Sequence, residues 1–152
     1  MPKTASQAEL TVREVRVEDA EAVAQLTGEL GYPAAPEMMA DRIRTQMAQP
    51  GYTVLVACQG AKVVGWIDVR ISHHLQSGAA AEIGGLVVSA EVRSLGIGGA
   101  LLARAEAWAQ EQGIARMLVR SQIARERAHR FYLERGYQRT KTSAVFSKQI
   151  AG

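Results

Sequence analysis

A chain of 152 residues that is 47% hydrophobic and 22% charged has the balance of a single globular domain (1–152) whose core needs no metal or disulfide staple. No apolar run approaches the ~18 residues of a transmembrane helix, and a lone cysteine, Cys58, excludes a disulfide framework and a thiolate zinc cluster. The net charge of +3 hides a split: residues 1–75 carry 7 Lys and Arg against 9 Asp and Glu, whereas residues 76–152 carry 11 against 6. Fourteen of the eighteen basic residues are arginine, which stays charged and binds phosphate and carboxylate bidentately. An anionic ligand, nucleic acid and a merely solvated face are all open on charge alone. The N-terminal residues lack the apolar core of a secretory signal, so a cytoplasmic location is the expectation.

Leu10 to Val17 alternates imperfectly and reads as a strand. Glu18-Asp19 open a helix to about Leu30 that Gly31-Tyr32-Pro33 ends. A second helix runs from Pro36 to about Ala48, with Met39, Ile43 and Met47 at four-residue spacing. Tyr52 to Gln59 is a β-branched apolar strand, Gly60-Ala61 a turn, and Lys62 to Ser72 its hairpin partner. A polar loop, His73 to Ala80, leads to a strand over Ala81 to Val88. Inside it the adjacent Gly84 and Gly85 point to a bulge or a close backbone approach. Gly96 to Gln112 is helical and capped by Gly113, Ala115 to Ser121 is a strand, and Ala124 to Arg135 is a helix capped by Gly136. Tyr137 to Thr140 and Thr142 to Ile150 read as a closing hairpin. The order implies one α/β domain in which helices pack on a mixed sheet.

Chemistry concentrates at Leu86 to Leu102, where a strand enters a glycine-rich turn and the turn enters an apolar helix. Such a turn lets backbone approach a ligand closely, and the unpaired N–H groups of the helix start face an anion. A phosphate loop needs Gly-Lys-Ser/Thr, and no lysine follows here. A dinucleotide fingerprint needs G-x-G-x-x-G, and its third glycine is replaced by Leu101. What remains is R-x-x-G-x-G, Arg93 to Gly98. It is followed at a distance by A-x-x-F-Y-x-x-x-G-Y, Ala128 to Tyr137.

These two motifs together resemble the GNAT superfamily of acyl-CoA-dependent N-acyltransferases, over residues 82–137 and, by element order, over nearly the whole chain. The resemblance implies an α/β (α+β) fold with a mixed, mostly antiparallel sheet of six to seven strands, about four flanking helices, and a splay between the fourth and fifth strands. It implies acetyl-CoA as co-substrate and no metal. The cradle for the coenzyme A pyrophosphate would be Arg93, Ser94, Leu95, Gly96, Ile97, Gly98 and Gly99. The pantetheine arm and thioester would lie along Leu86, Val87 and Val88, with the Val88 N–H available to an oxyanion. Tyr132 matches a tyrosine that often protonates the departing thiolate, with packing against the sulfur as the alternative. Glu82 stands where several members place a general base, with a solvent-facing strand end as the alternative; Asp68 is a weaker candidate for the same task. One position departs from the family: Arg125 replaces an asparagine that commonly accepts from pantetheine, so it would reach a coenzyme phosphate instead.

The implied reaction moves an acetyl group to a primary amine of a small molecule or peptide by direct attack in a ternary complex. Cys58 lies mid-strand, away from any acyl-carrying position. Acceptor recognition would reside in residues 29–46, where Tyr32, Glu37 and Asp41 are available, with an aminoglycoside-type or a lysine-type acceptor both open. A homodimer through terminal strands is expected. The rival is a non-catalytic acyl-CoA-binding regulatory module. Nucleic acid is set aside because aromatics make up only 5% of the chain, and the adjacent His73 and His74 lack a third metal ligand.

Overall fold

The computed structural model describes residues 9–93, 95–120 and 126–152. They form two compact units, Met1–Val119 and Arg120–Gly152. The first holds five strands, Leu10–Glu14 (β1), Tyr52–Gln59 (β2), Lys62–His74 (β3), Gly78–Val88 (β4) and Met117–Val119 (β5), with helices Ala20–Glu29 (α1), Pro36–Met47 (α2) and Ile97–Glu111 (α3). The second holds Glu126–Glu134 (α4). The sheet order is β1-β2-β3-β4-β5, antiparallel throughout except for the parallel β4–β5 pair.

The apolar run of β2 lacks alternation because both its faces are covered. Val54, Val56 and Cys58 pack against Val15, Val23, Ala24, Met39 and Ile43 under α1 and α2. Leu55 and Ala57 point the other way, with Ile67 and Val69 of β3, toward α3. The buried stripe of α3 is Ile97, Leu101, Leu102, Ala105 and Ala109, the 3–4 spacing of an amphipathic helix.

Three helices end in the same way. Gly31, Gly113 and Gly136 each take positive φ, and in each case two N–H groups return to the last turn. Gly31 bonds Gly28 C=O while Tyr32 bonds Thr27 C=O; Gly113 and Ile114 repeat this at Gln110 and Ala109; Gly136 and Tyr137 repeat it at Leu133 and Tyr132. These are Schellman closures, which satisfy carbonyls that the helix itself leaves open.

The expected closing hairpin does not form. Residues 137–152 contain no strand, and Val145, Phe146 and Ile150 are about nine-tenths exposed, so the sheet has five strands rather than six to seven. Only Lys141 separates the two β-rich stretches, and it supplies none of the Gly, Asn or Asp that a two-residue hairpin turn demands. An isolated two-stranded ribbon is marginal in water in any case. Conversely, β3 and β4 run further than their sequence implies, replacing most of the loop expected at 73–80 with a turn at 75–77.

The start of α1 is tied to β1 by one ion pair. Arg13 grips both Asp19 oxygens at 2.8 and 2.9 Å, and the Arg16 N–H adds a bond of 2.8 Å. Burial pushes the Asp19 acid up, but these donors outweigh it and hold it below its usual 3.8. A lowered acid stabilises fully above that ordinary value and loses its contribution as pH falls through the folded-state value. Asp19→Asn is expected to lower the unfolding free energy by about 2 kcal/mol at neutral pH. The difference from wild type should shrink in urea titrations taken below pH 3.8; a difference that stays constant with pH would show that the charge is immaterial.

Candidate active site

The register of β3 against β4 slips by one residue. Asp68 faces Gly85 and Val69 faces Ile83, which leaves Gly84 as the extra residue of a β-bulge. Both glycines are required by what stands opposite. A Cβ on Gly84 would lie 2.6 Å from Asp68 Oδ2, and one on Gly85 would lie 2.8 Å from the Trp66 ring. β4 pairs with β5 over Ala81, Glu82 and Ile83 among the described residues. The Gly84–Val88 backbone therefore has a strand partner on its β3 side and, among those residues, none in β5. The expected splay between the fourth and fifth strands falls beside residues 121–125, outside the described residues.

Four polar side chains gather on the α1–α2 face beside the bulge. Tyr52 donates its phenol to Asp68 Oδ2 at 2.9 Å. Arg70, one pleat along β3 from Asp68, sets Nη2 3.7 Å from Oε2 of the buried Glu82 across the strand. Burial pushes the Asp68 acid up, against the pull of the Tyr52 phenol and the Gly85 N–H. Burial and the Asp68 charge push the Tyr52 phenol up to about 12. Glu82 and Asp68 were legible as candidate carboxylates; Tyr52 and Arg70 were not, because only the strand register brings them to this place.

Beyond Val88 the chain makes a 3-10 turn at Ala90–Val92 and reaches Arg93, which is exposed. Gly96 then takes φ +79° as the N-cap of α3. The bond from Ala100 N–H to Gly96 C=O is the first of the helix, so the N–H groups of Ile97, Gly98 and Gly99 project ahead of it. No acidic residue occupies the first turn, and nothing there competes with an incoming anion for the positive end of a 15-residue helix dipole. Ile97 is buried and seats this end of the helix on the sheet, while Leu95 and Gly96 are exposed. Ser94 and Arg125 lie outside the described residues.

In the second unit, the F-Y-x-x-x-G-Y motif acquires a geometric meaning. Gly136 turns the chain back so that the Tyr137 ring comes to 5.5 Å from that of Tyr132. Phe131 stands edge-on to Tyr132 at 5.1 Å, and the Arg135 guanidinium caps the Phe131 face at 3.9 Å. Burial pushes the Tyr132 phenol up, so it keeps its proton at neutral pH.

Gly96 and Gly113 both hold positive φ with open space around them, and they test the cradle against a control. Alanine at either is expected to cost roughly 1–2 kcal/mol of stability. Only Gly96→Ala should also weaken coenzyme A binding, by about tenfold in calorimetry. Equal affinities in the two variants would remove the α3 turn from the binding site.

Residues 19–137 match the acetyltransferase (GNAT) family. The chain is 34% identical over 116 residues to the aminoalkylphosphonate N-acetyltransferase of Salmonella typhimurium, covering 76% of this chain and 73% of that one. It is 26% identical over 140 residues to the aminoglycoside N(6')-acetyltransferase type 1 of Stenotrophomonas maltophilia, covering 90% and 91%. The solved aminoglycoside N-acetyltransferase AAC(6')-Iy in complex with CoA shares the fold, with a TM-score of 0.86 at 15% identity and coverage of 98% and 99%. A motif pair, a bulged sheet and a family match across both compact units lead to one conclusion: the chain belongs to the GNAT acetyltransferase family and is an N-acetyltransferase.

Proposed function

We propose that the protein, as one GNAT domain, transfers an acetyl group from acetyl-CoA to a primary amine of a small molecule by direct attack in a ternary complex. The observation that carries this reading is the bulge at Gly84, beyond which the Leu86–Val88 backbone leads into the N-terminus of α3 within one unit. On this reading the pyrophosphate sits on the turn from Arg93 to Gly99, with Arg125 on a further phosphate. Pantetheine runs along Leu86, Val87 and Val88. Glu82, whose Oε2 lies 3.7 Å from Arg70 Nη2, takes the proton of the attacking ammonium, directly or through water. The Val88 N–H holds the oxyanion of the tetrahedral intermediate. Tyr132 then gives its proton to the departing thiolate, a role favoured by a phenol that burial keeps protonated.

Two relatives named for small-molecule amines, an aminoalkylphosphonate and an aminoglycoside, favour a small-molecule acceptor over a lysine side chain. Coenzyme A release should be measured with an amine panel that holds both kinds and a lysine peptide. At least one small-molecule amine is expected to drive release, and Tyr132→Phe should then lower kcat on the order of a hundredfold while leaving coenzyme A affinity unchanged. Tight coenzyme binding without release from any amine would favour a regulatory module. Unchanged turnover in Tyr132→Phe would remove it as the acid.

A cytoplasmic homodimer belongs to the same reading. Among the described residues, no helix is long and apolar enough to cross a membrane. The dimer is favoured by the exposed, β-patterned residues Val145, Phe146 and Ile150, a patch of the kind that marks an interaction surface. Sedimentation at micromolar concentration should give the mass of two chains; the mass of one chain would overturn it.

A further inference from the structure

We propose that Asp68 and Tyr52 form a brace that holds the β4 bulge and thereby aims the Leu86–Val88 backbone at the thioester, making Asp68 a positioning residue rather than a second base. This rests on the acetyl-transfer reading above. A bulge breaks one rung of the ladder and leaves a backbone donor without a carbonyl opposite. Here the Asp68 carboxylate lies against the bulge, with Oδ1 3.4 Å from where a Cβ on Gly85 would stand, and the Gly85 N–H favours its charged form. Its Oδ2 is in turn fixed by the Tyr52 phenol at 2.9 Å.

The fit is mutual. A Cβ on Gly84 would stand 2.6 and 2.8 Å from the two carboxylate oxygens, so the carboxylate lies flat against the bulged backbone. A side chain at position 84 would expel it. Both oxygens thus face the protein's own backbone and phenol. A base needs a lone pair turned toward the incoming amine, and Asp68 has spent its own on the bulge. Tyr52 is well suited to the task, because a phenol held near 12 donates across the whole range in which an enzyme works. Glu82 lies on the same face, two rungs away beside Arg70, so the brace and the proposed base are separate groups on one surface.

The choice of substitutions separates a brace from a base. Asp68→Ala removes the acceptor and is expected to lower kcat between tenfold and a hundredfold, on the order that a small misplacement of a reacting group costs. It should weaken coenzyme A binding but leave the affinity for adenosine 3′,5′-bisphosphate, which lacks pantetheine, within about twofold of wild type, since that nucleotide engages only the α3 turn. Asp68→Asn keeps a carbonyl oxygen for the Gly85 N–H and offers an amide to the Tyr52 oxygen, so it should recover most of kcat with an unchanged amine KM. An Asn variant as inactive as Ala, with a raised amine KM, would place Asp68 on the acceptor and overturn the brace. Wild-type constants in Asp68→Ala would overturn it equally. Tyr52→Phe removes one hydroxyl and serves where the Ala variant fails to fold. In the ligand-free protein its amide exchange at Gly85–Val88 should rise at least tenfold while that of α1 is unchanged, and unchanged exchange at the bulge would sink the proposal. That arm needs no turnover, so an inactive wild-type chain would defeat the acetyl-transfer reading while leaving the brace to its own test.

Discussion

One extra residue in β4 decides what the sheet presents. A strand alternates its side chains with period 2, so residues an odd number apart face opposite sides. Glu82 and Gly85 are three apart, yet both face β3 residues on the same side, Arg70 and Asp68. Gly84 absorbs the difference. Without it Glu82 would turn toward α3 and its carboxylate would be buried in an apolar layer of Leu101 and Ala105, an unaffordable place for a charge. Among the described residues, β5 pairs with Ala81, Glu82 and Ile83, just ahead of the slip. One register shift therefore delivers a carboxylate to the α1–α2 face.

The second constraint is that β4 must lead to a place able to hold a highly charged ligand. The last residues of β4 are pinned to β3 by Ser89 N–H bonding Val64 C=O at 2.8 Å, so the chain leaves the sheet at a fixed point. A 3-10 turn and Gly96 at positive φ then swing it into α3 within a few residues. Ile97 and Leu101, both essentially buried, lock the first turn of the helix against the sheet. The direction of its open N–H groups is thus set by core packing. The basic excess of residues 76–152 lies in the same part of the sequence as this turn, and the acidic excess of residues 1–75 in the same part as α1 and α2. That charge division agrees with an anionic co-substrate at one end and an amine at the other.

Much of this was legible in the chain because the signals are local. Glycine inside a strand has few explanations, so Gly84-Gly85 announced the bulge. Capping glycines placed the ends of α1, α3 and α4, and the motif spacing identified the family. What stayed hidden was non-local. Tyr52 and Asp68 are sixteen residues apart and meet only through the β2–β3 register; no pattern within either strand marks the pair. Arg70 reads as an exposed strand charge until β4 lays Glu82 across from it. The closing hairpin failed for the opposite reason: β propensity at 142–150 is a local signal, but strand formation requires an edge and a turn, and neither is encoded by propensity.

The tyrosine motif shows how geometry and chemistry divide the work in such a sequence. The five-residue interval from Tyr132 to Tyr137 is the span of a Schellman closure, and the same closure ends α1 and α3 without any catalytic association. The spacing is therefore a rule of helix termination. What distinguishes α4 is the residue types placed on it: an aromatic on each side of the cap brings two rings together, a third ring stands edge-on, and an arginine covers that one. Two rings pack against the half-buried Tyr132 ring, and burial is what pushes its phenol up and keeps it protonated. A thiolate leaving a thioester is a stronger base than the thioester sulfur it came from, so the proton is wanted only as the bond breaks. On the proposed reading, a half-buried phenol that holds its proton until then meets that timing, and the packing of Phe131 and Tyr137 contributes to the burial of Tyr132.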